Sequence, residues 1–245
     1  VTWQFWKKKR YIISVLGFFG FFNVFALRSN ISIALVDMIS LKNRTLENGT
    51  VIQERDFDWD PVQLGYALSA FFYGYVFTQI LGGYLATKFG GSKIFGIGIA
   101  ATAVFTLLTP WAAKTNFYCL LVIRILEGLC EGINYPASMA IWAKWAPPLE
   151  KARLTAICIS GTFVGTVVAM PVSSLLASYL GWESIFYVFG AIAVFWYVIW
   201  LIVVKDSPSE DSRIDPDELI YINEAINATK CTSKPVVPWR SLLTT

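Results

Sequence analysis

Residues 11–39 read YIISVLGFFGFFNVFALRSNISIALVDMI, a run whose only charges are Arg28 and Asp37. A bilayer core about 30 Å thick needs roughly 20 apolar residues per spanning helix, and this run is long enough. Five further blocks meet the same test, at 62–86, 94–113, 117–142, 154–180 and 184–204. The chain therefore reads as an all-α membrane protein. Residues 1–204 form a bundle of six transmembrane helices, and 205–245 form a polar cytoplasmic segment.

Composition agrees. Of 245 residues, 56% are hydrophobic and 15% charged, where a soluble domain carries about a quarter charged. A soluble enzyme, a disordered tail and a disulfide scaffold are excluded. A net charge of +3, with the basic residues in short loops, gives no footprint for nucleic acid. There is no histidine, which removes imidazole metal sites, Ser-His triads and histidine proton shuttles. No nucleophile–base set or metal cluster is apparent, so no enzyme activity, metal or resident cofactor is expected. The four cysteines, Cys119, Cys130, Cys158 and Cys231, are scattered without a CxxC pair and read as small apolar residues.

Lys and Arg set the orientation. Fourteen of the 20 fall in the N-terminus, the 87–93 and 143–153 loops and the segment from Lys205. Four fall on the opposite side, and Arg28 and Arg124 lie within spans. Both ends of the chain are thus expected in the cytoplasm. The outer loop between the first two spans carries the sequons Asn43-Arg-Thr45 and Asn48-Gly-Thr50, candidate glycosylation sites on that side. After Val204, Asp215, Pro216 and Glu218 give the N-cap, first position and third position of a capping box. Leu219, Ile222 and Ile226 then put one apolar stripe on a polar helix. The residues 237–245 read as the approach to a further span, and the chain is expected to be a fragment.

Ionisable residues inside a membrane are costly and mark function by default. The fourth block holds Arg124-Ile-Leu-Glu127-Gly-Leu-Cys-Glu131-Gly-Ile-Asn134-Tyr135. At 100° per residue Arg124, Glu127, Glu131, Asn134 and Tyr135 share one wedge of about 100°. Gly128 and Gly132 lie beside it at the GxxxG spacing that lets a neighbouring helix approach closely. A purely structural alternative is an internal Arg124–Glu127 pair at i,i+3, which leaves Arg28 and Glu131 unexplained. Tyr75 and Gln79 share a face of the second block.

Several stretches resemble one transporter family in order. They are Ala26-Leu-Arg28-Ser-Asn30-Ile-Ser-Ile-Ala-Leu-Val-Asp37-Met38, Phe71-Phe-Tyr-Gly-Tyr75 with Thr78-Gln79, the Arg124–Gly132 run, Trp142-Ala-Lys-Trp-Ala-Pro147-Pro148-Leu-Glu150, and Gly161-Thr-Phe-Val-Gly165. They resemble the sialin, vesicular glutamate and sodium–phosphate cotransporter family of the major facilitator superfamily. Sialin and insect inorganic phosphate cotransporters are the most similar branches.

The resemblance implies twelve spans in two halves. This chain would be the N-terminal half, with the C-terminal half as its missing partner and the lipid bilayer as its surroundings. It implies a small anionic substrate, inorganic phosphate or an organic anion such as an acidic sugar, carried with H+ or Na+. It assigns Arg28, Arg124, Tyr75 and Tyr135 to substrate binding or the cavity lining, and Glu127 and Glu131 to ion coupling. It implies a plasma, lysosomal or vesicular membrane.

Two departures matter. The superfamily's second-to-third helix loop prefers an acid where Thr87 stands and a base where Gly91 stands, putting a charge lock there in doubt. Leu68 replaces the histidine of the glutamate carriers, which argues against that role. The alternative function is a non-transporting scaffold or receptor-like membrane protein. In the transport reading both glutamates, when ionised, compete with the anion for the two arginines.

Overall fold

A computed structural model describes residues 8–45 and 51–229. Its helices follow the apolar blocks and extend slightly past them. They are α1 (Lys9–Ile39), α2 (Pro61–Phe89), α3 (Gly91–Thr115), α4 (Phe117–Glu131), α5 (Asn134–Trp145), α6 (Pro148–Leu180), α7 (Trp182–Val203) and α8 (Pro216–Thr229). A small antiparallel hairpin, β1 (Lys42–Thr45) and β2 (Val51–Glu54), joins α1 to α2, with Asn43 opposite Gln53.

Local chemistry sets the helix ends. At the start of α2, Asp60 caps the helix, Pro61 takes the first turn, and Gln63 reaches back to the Asp60 N–H at 3.0 Å. Asn116 caps α4 by accepting from the Tyr118 N–H at 3.2 Å. Gly90 alone separates α2 from α3, and its φ of 101° suits only a residue without a Cβ.

The expected single fourth helix over 117–142 is corrected. It is two pieces, α4 and α5, separated by Gly132 and Ile133. Pro136 explains the break. It has no N–H to give the Gly132 carbonyl, and its ring crowds that carbonyl, so it fits only the first turn of a new helix. Gly132 and Ile133 keep right-handed helical backbone angles, so α4 and α5 continue one another across the bundle. Among the described residues, α1, α2, α3, α6 and α7 are each long and apolar enough to cross a bilayer. The α4–α5 pair supplies the length for a sixth crossing.

The bundle packs α1 against α6 and α7, α2 against α4, and α3 against α4, α5 and α7. Close approach is made by glycine. A Cβ on Gly128 would meet the Phe71 carbonyl, and one on Gly161 would meet that of Phe18. Buried indoles are satisfied in the core. Trp196 donates to the Leu16 carbonyl at 3.0 Å and Trp200 to that of Ser92 at 2.9 Å.

The segment after α7 is not a detached tail. Asp206 pairs with Lys144 of α5 and accepts from the Ser92 N–H at the start of α3, at 3.2 Å. Asp215 caps α8 by accepting from the Asp217 N–H at 3.2 Å and Pro216 opens it, but the expected Glu218 half of the capping box is corrected. The Glu218 carboxylate accepts from the Lys9 and Arg10 N–H groups at 2.8 and 3.3 Å, capping α1 across 208 residues of sequence or more. Arg10 also bonds Glu150 of α6, Nε to Oε2 at 2.8 Å, and Lys9 pairs with Asp211 at 2.9 Å. Ile222 of the apolar stripe is fully buried against the bundle. Of the candidate sequons, Asn43 lies in β1, while Asn48 and the stretch 237–245 lie outside the described residues.

Candidate functional site

Arg28 sits a little past the middle of α1, where no water is at hand to solvate a guanidinium except through a cavity. Aromatic faces surround it. Its guanidinium carbon lies 4.8 Å from the ring centre of Phe71, 4.7 Å from Phe72, 5.2 Å from Tyr75 and 5.5 Å from Phe25. Phe71 is shared, since Arg124 lies 5.3 Å from the same ring. One phenylalanine thus sits against both buried cations, and each gains cation–π stabilisation where hydration is lost.

The two arginines have different anionic partners. Arg124 pairs with Glu127, one helical turn along α4, and both are almost completely buried. The other Glu127 oxygen accepts from Thr106 and Thr109 of α3 at 3.2 and 3.1 Å. Glu127 is therefore fully engaged. Glu131 is not. Its nearest cation is Arg28, Nη1 to Oε1 at 3.6 Å, beyond a good hydrogen bond. Among the described residues neither Glu131 oxygen has a hydrogen-bond partner, and its side chain is 2% exposed. A carboxylate so placed leaves an electrostatic demand that only a cation or proton can meet.

Arg28 and Arg124 line a cavity of about 300 Å³ between α1, α2, α4 and α6, with Ser29, Ser32, Leu68 and Thr166 among its walls. The Arg28 side chain is 21% exposed into that space, whereas that of Arg124 is 3% exposed. Of the residues expected at the site, Arg28 and Arg124 line this cavity, Glu127 and Glu131 are buried next to them, and Tyr75 and Tyr135 are half-buried. Tyr75 supports Arg28 with its ring. Tyr135 packs on Phe21, ring centres 4.9 Å apart. Asn30 ties α1 to α6 by accepting from Ser173 at 2.9 Å.

The aromatic cage, Thr166 and the Thr106–Thr109 clamp do not stand out in the sequence. Phenylalanines in an apolar span carry no distinguishing pattern. The threonines at 102, 106 and 109 follow helical spacing in α3, the one signal that could have placed them on a common face. Among the described residues no cluster of three His, Cys, Asp or Glu could hold a metal.

A family model described as Major Facilitator Superfamily matches residues 12–245. The chain belongs to that superfamily. Human sialin is 42% identical over 250 residues, covering 96% of this chain and 50% of sialin. Vesicular glutamate transporter 1 of Xenopus laevis is 40% identical over 240 residues, covering 96% and 42%. The resemblance drawn from the motifs is thereby upheld. Overall identity does not choose between the two branches. This chain spans half or less of the length of these relatives, which are transporters and not enzymes.

Among solved structures of the superfamily fold, a bacterial homologue of the human lysosomal transporter Spinster, inward-facing, aligns with a TM-score of 0.64 at 18% identity. That match covers 85% of this chain and 45% of the other. The xylose transporter XylE from E. coli aligns at 0.64 and 15%, covering 90% and 57%. The architecture is the N-terminal half of a major facilitator fold.

Proposed function

We propose that this chain supplies one half of an ion-coupled secondary transporter for a small anion, with the second six-helix half closing the cavity from the other side. The observation that carries this reading is the Arg28–Glu131 pair: a guanidinium open to the cavity, 3.6 Å from a buried carboxylate without another partner. Arg124 is committed to Glu127, so Arg28 is the cation free to exchange partners.

The charges then dictate the coupling. Arg28, Arg124, Glu127 and Glu131 sum to zero. An anion that takes Arg28 leaves Glu131 negative and unpaired in a medium of low dielectric. Uptake of H+ by Glu131, or entry of Na+ beside it, restores neutrality. Anion and cation therefore move together. Glu127, which the resemblance groups with Glu131 in coupling, acts as a support for Arg124. Tyr75 orients Arg28, and Tyr135 packs on Phe21.

The cargo is inorganic phosphate or an organic anion such as an acidic sugar. Leu68 in the cavity wall, where the resemblance gives the glutamate carriers a histidine, favours a cargo other than glutamate. The setting is a plasma, lysosomal or vesicular membrane with the α8 end in the cytoplasm, as the Lys and Arg distribution directs. Asn43 and Asn48 would carry glycans on the opposite side.

Uptake of labelled phosphate and sialic acid into vesicles holding the complete transporter tests this, with Na+ replaced or a pH gradient imposed. One of the two should accumulate and follow one of the gradients. Uptake of neither above protein-free vesicles would favour the scaffold reading, and uptake indifferent to both gradients would remove the coupling.

A further inference from the structure

A second cavity takes no part in the transport reading. Near the α8 end, α1, α6 and α7 part to leave a groove of about 440 Å³. Its walls are apolar, with Ile12 and Leu16 from α1, Ile157 from α6, and Ile199 and Val203 from α7. Arg153 of α6 is the one cation in its lining. It is the sixth residue of α6, and at 1.5 Å per residue it lies about 7.5 Å along that helix. Val203 ends α7 and Tyr11 is the third residue of α1. All three helices therefore present the groove at the depth of lipid headgroups, running from there into the hydrocarbon.

Charge separates Arg153 from its neighbours. Arg10 is neutralised by Glu150 and Glu218, and Lys9 by Asp211. Arg153 is exposed and has no ion pair or hydrogen bond among the described residues. Arg213 adds a second guanidinium at the rim. Its Nη2 donates to the Ile202 carbonyl at 3.3 Å, next to Val203, and no carboxylate among the described residues pairs with it. A cationic mouth on an apolar trough matches an amphiphile with a negative head and a hydrocarbon tail. A free inorganic anion would gain nothing from the trough. A neutral lipid would gain nothing from the mouth.

We propose that this groove binds an anionic phospholipid of the bilayer, its phosphate on Arg153 and an acyl chain along Ile157, Ile199 and Val203. The planar fork of arginine suits a phosphate, and basic pockets between helices at a membrane surface suit acidic headgroups. The lipid would bridge α1, α6 and α7 beside the docked α8.

Native mass spectrometry of the complete transporter, supplied with phosphatidylglycerol and phosphatidylcholine, tests the site. The unaltered protein should retain phosphatidylglycerol preferentially. Arg153→Gln, at an exposed position, should weaken that retention about fivefold and leave phosphatidylcholine unchanged. Ile157→Trp, which fills the trough, should weaken it too. Equal retention by Arg153→Gln and the unaltered protein would overturn the proposal, even if Ile157→Trp fails to fold. So would a photocrosslinker at Ile199 that captures the chain's own terminal residues instead of lipid. The readout is lipid binding, so its failure leaves the transport reading standing.

Discussion

Arg28 and Arg124 are the same residue type in one membrane, and their surroundings give them different work. Inserting an arginine near a helix centre costs about 2.5–3.5 kcal/mol. Arg124 offsets this with a carboxylate on its own helix, and Arg28 with aromatic faces and a glutamate on another helix. Arg28→Lys keeps the charge but loses the flat guanidinium that lies on Phe71 and Phe72 and the fork that, in the proposed reading, grips the anion. Initial uptake rates of the complete transporter should fall by about tenfold or more, since tenfold is only about 1.4 kcal/mol of lost stabilisation.

The two glutamates should part company as well. Glu127→Gln strands Arg124 in a dry site, so its effect should be a lowered melting temperature with ion dependence retained; loss of ion dependence at normal stability would reverse the assignment. Sequence alone could find the Arg124–Glu127 pair, because i,i+3 spacing brings such residues together on any helix. Arg28 and Glu131 are on different helices, and only packing makes them neighbours.

At the scale of helices, the spans were legible because length and hydropathy leave few alternatives in a bilayer. The GxxxG spacing was legible too. Gly128 and Gly132 lie against the α2 backbone at Phe71 and Tyr75, which sets the distance between Arg124 and the cage. Gly128→Val would force α2 and α4 apart. Overpacking of this kind costs about 1–3 kcal/mol, and the melting temperature should drop along with transport.

The α8 dock was not legible. Glu218 sits where a capping box wants it, yet it caps α1, a choice set by tertiary distance and not by local spacing. Breaking a buried ion pair from one side costs about 3–5 kcal/mol. Glu218→Ala should therefore free α8, measured as faster proteolysis between α7 and α8. Unchanged cleavage would mean that the contact does not hold the segment.

Taken whole, the bundle is held at two levels. The α8 end is tied by Asp206 on α3 and α5 and by Glu218 on α1 and Arg10. The hairpin end is tied by Lys42 to Asp37 and Asp56, and by Lys114 to Glu183. Between them lies the cavity lined by Arg28 and Arg124, and in the proposed reading charge balance with Glu127 and Glu131 links anion to cation. The most direct measurement is gradient-driven accumulation of the labelled anion by the complete transporter carrying Glu131→Gln. Exchange of anion for anion should persist, because Arg28 remains, while uphill accumulation driven by H+ or Na+ should vanish. Accumulation equal to that of the unaltered transporter, with the same ion dependence, would contradict the account.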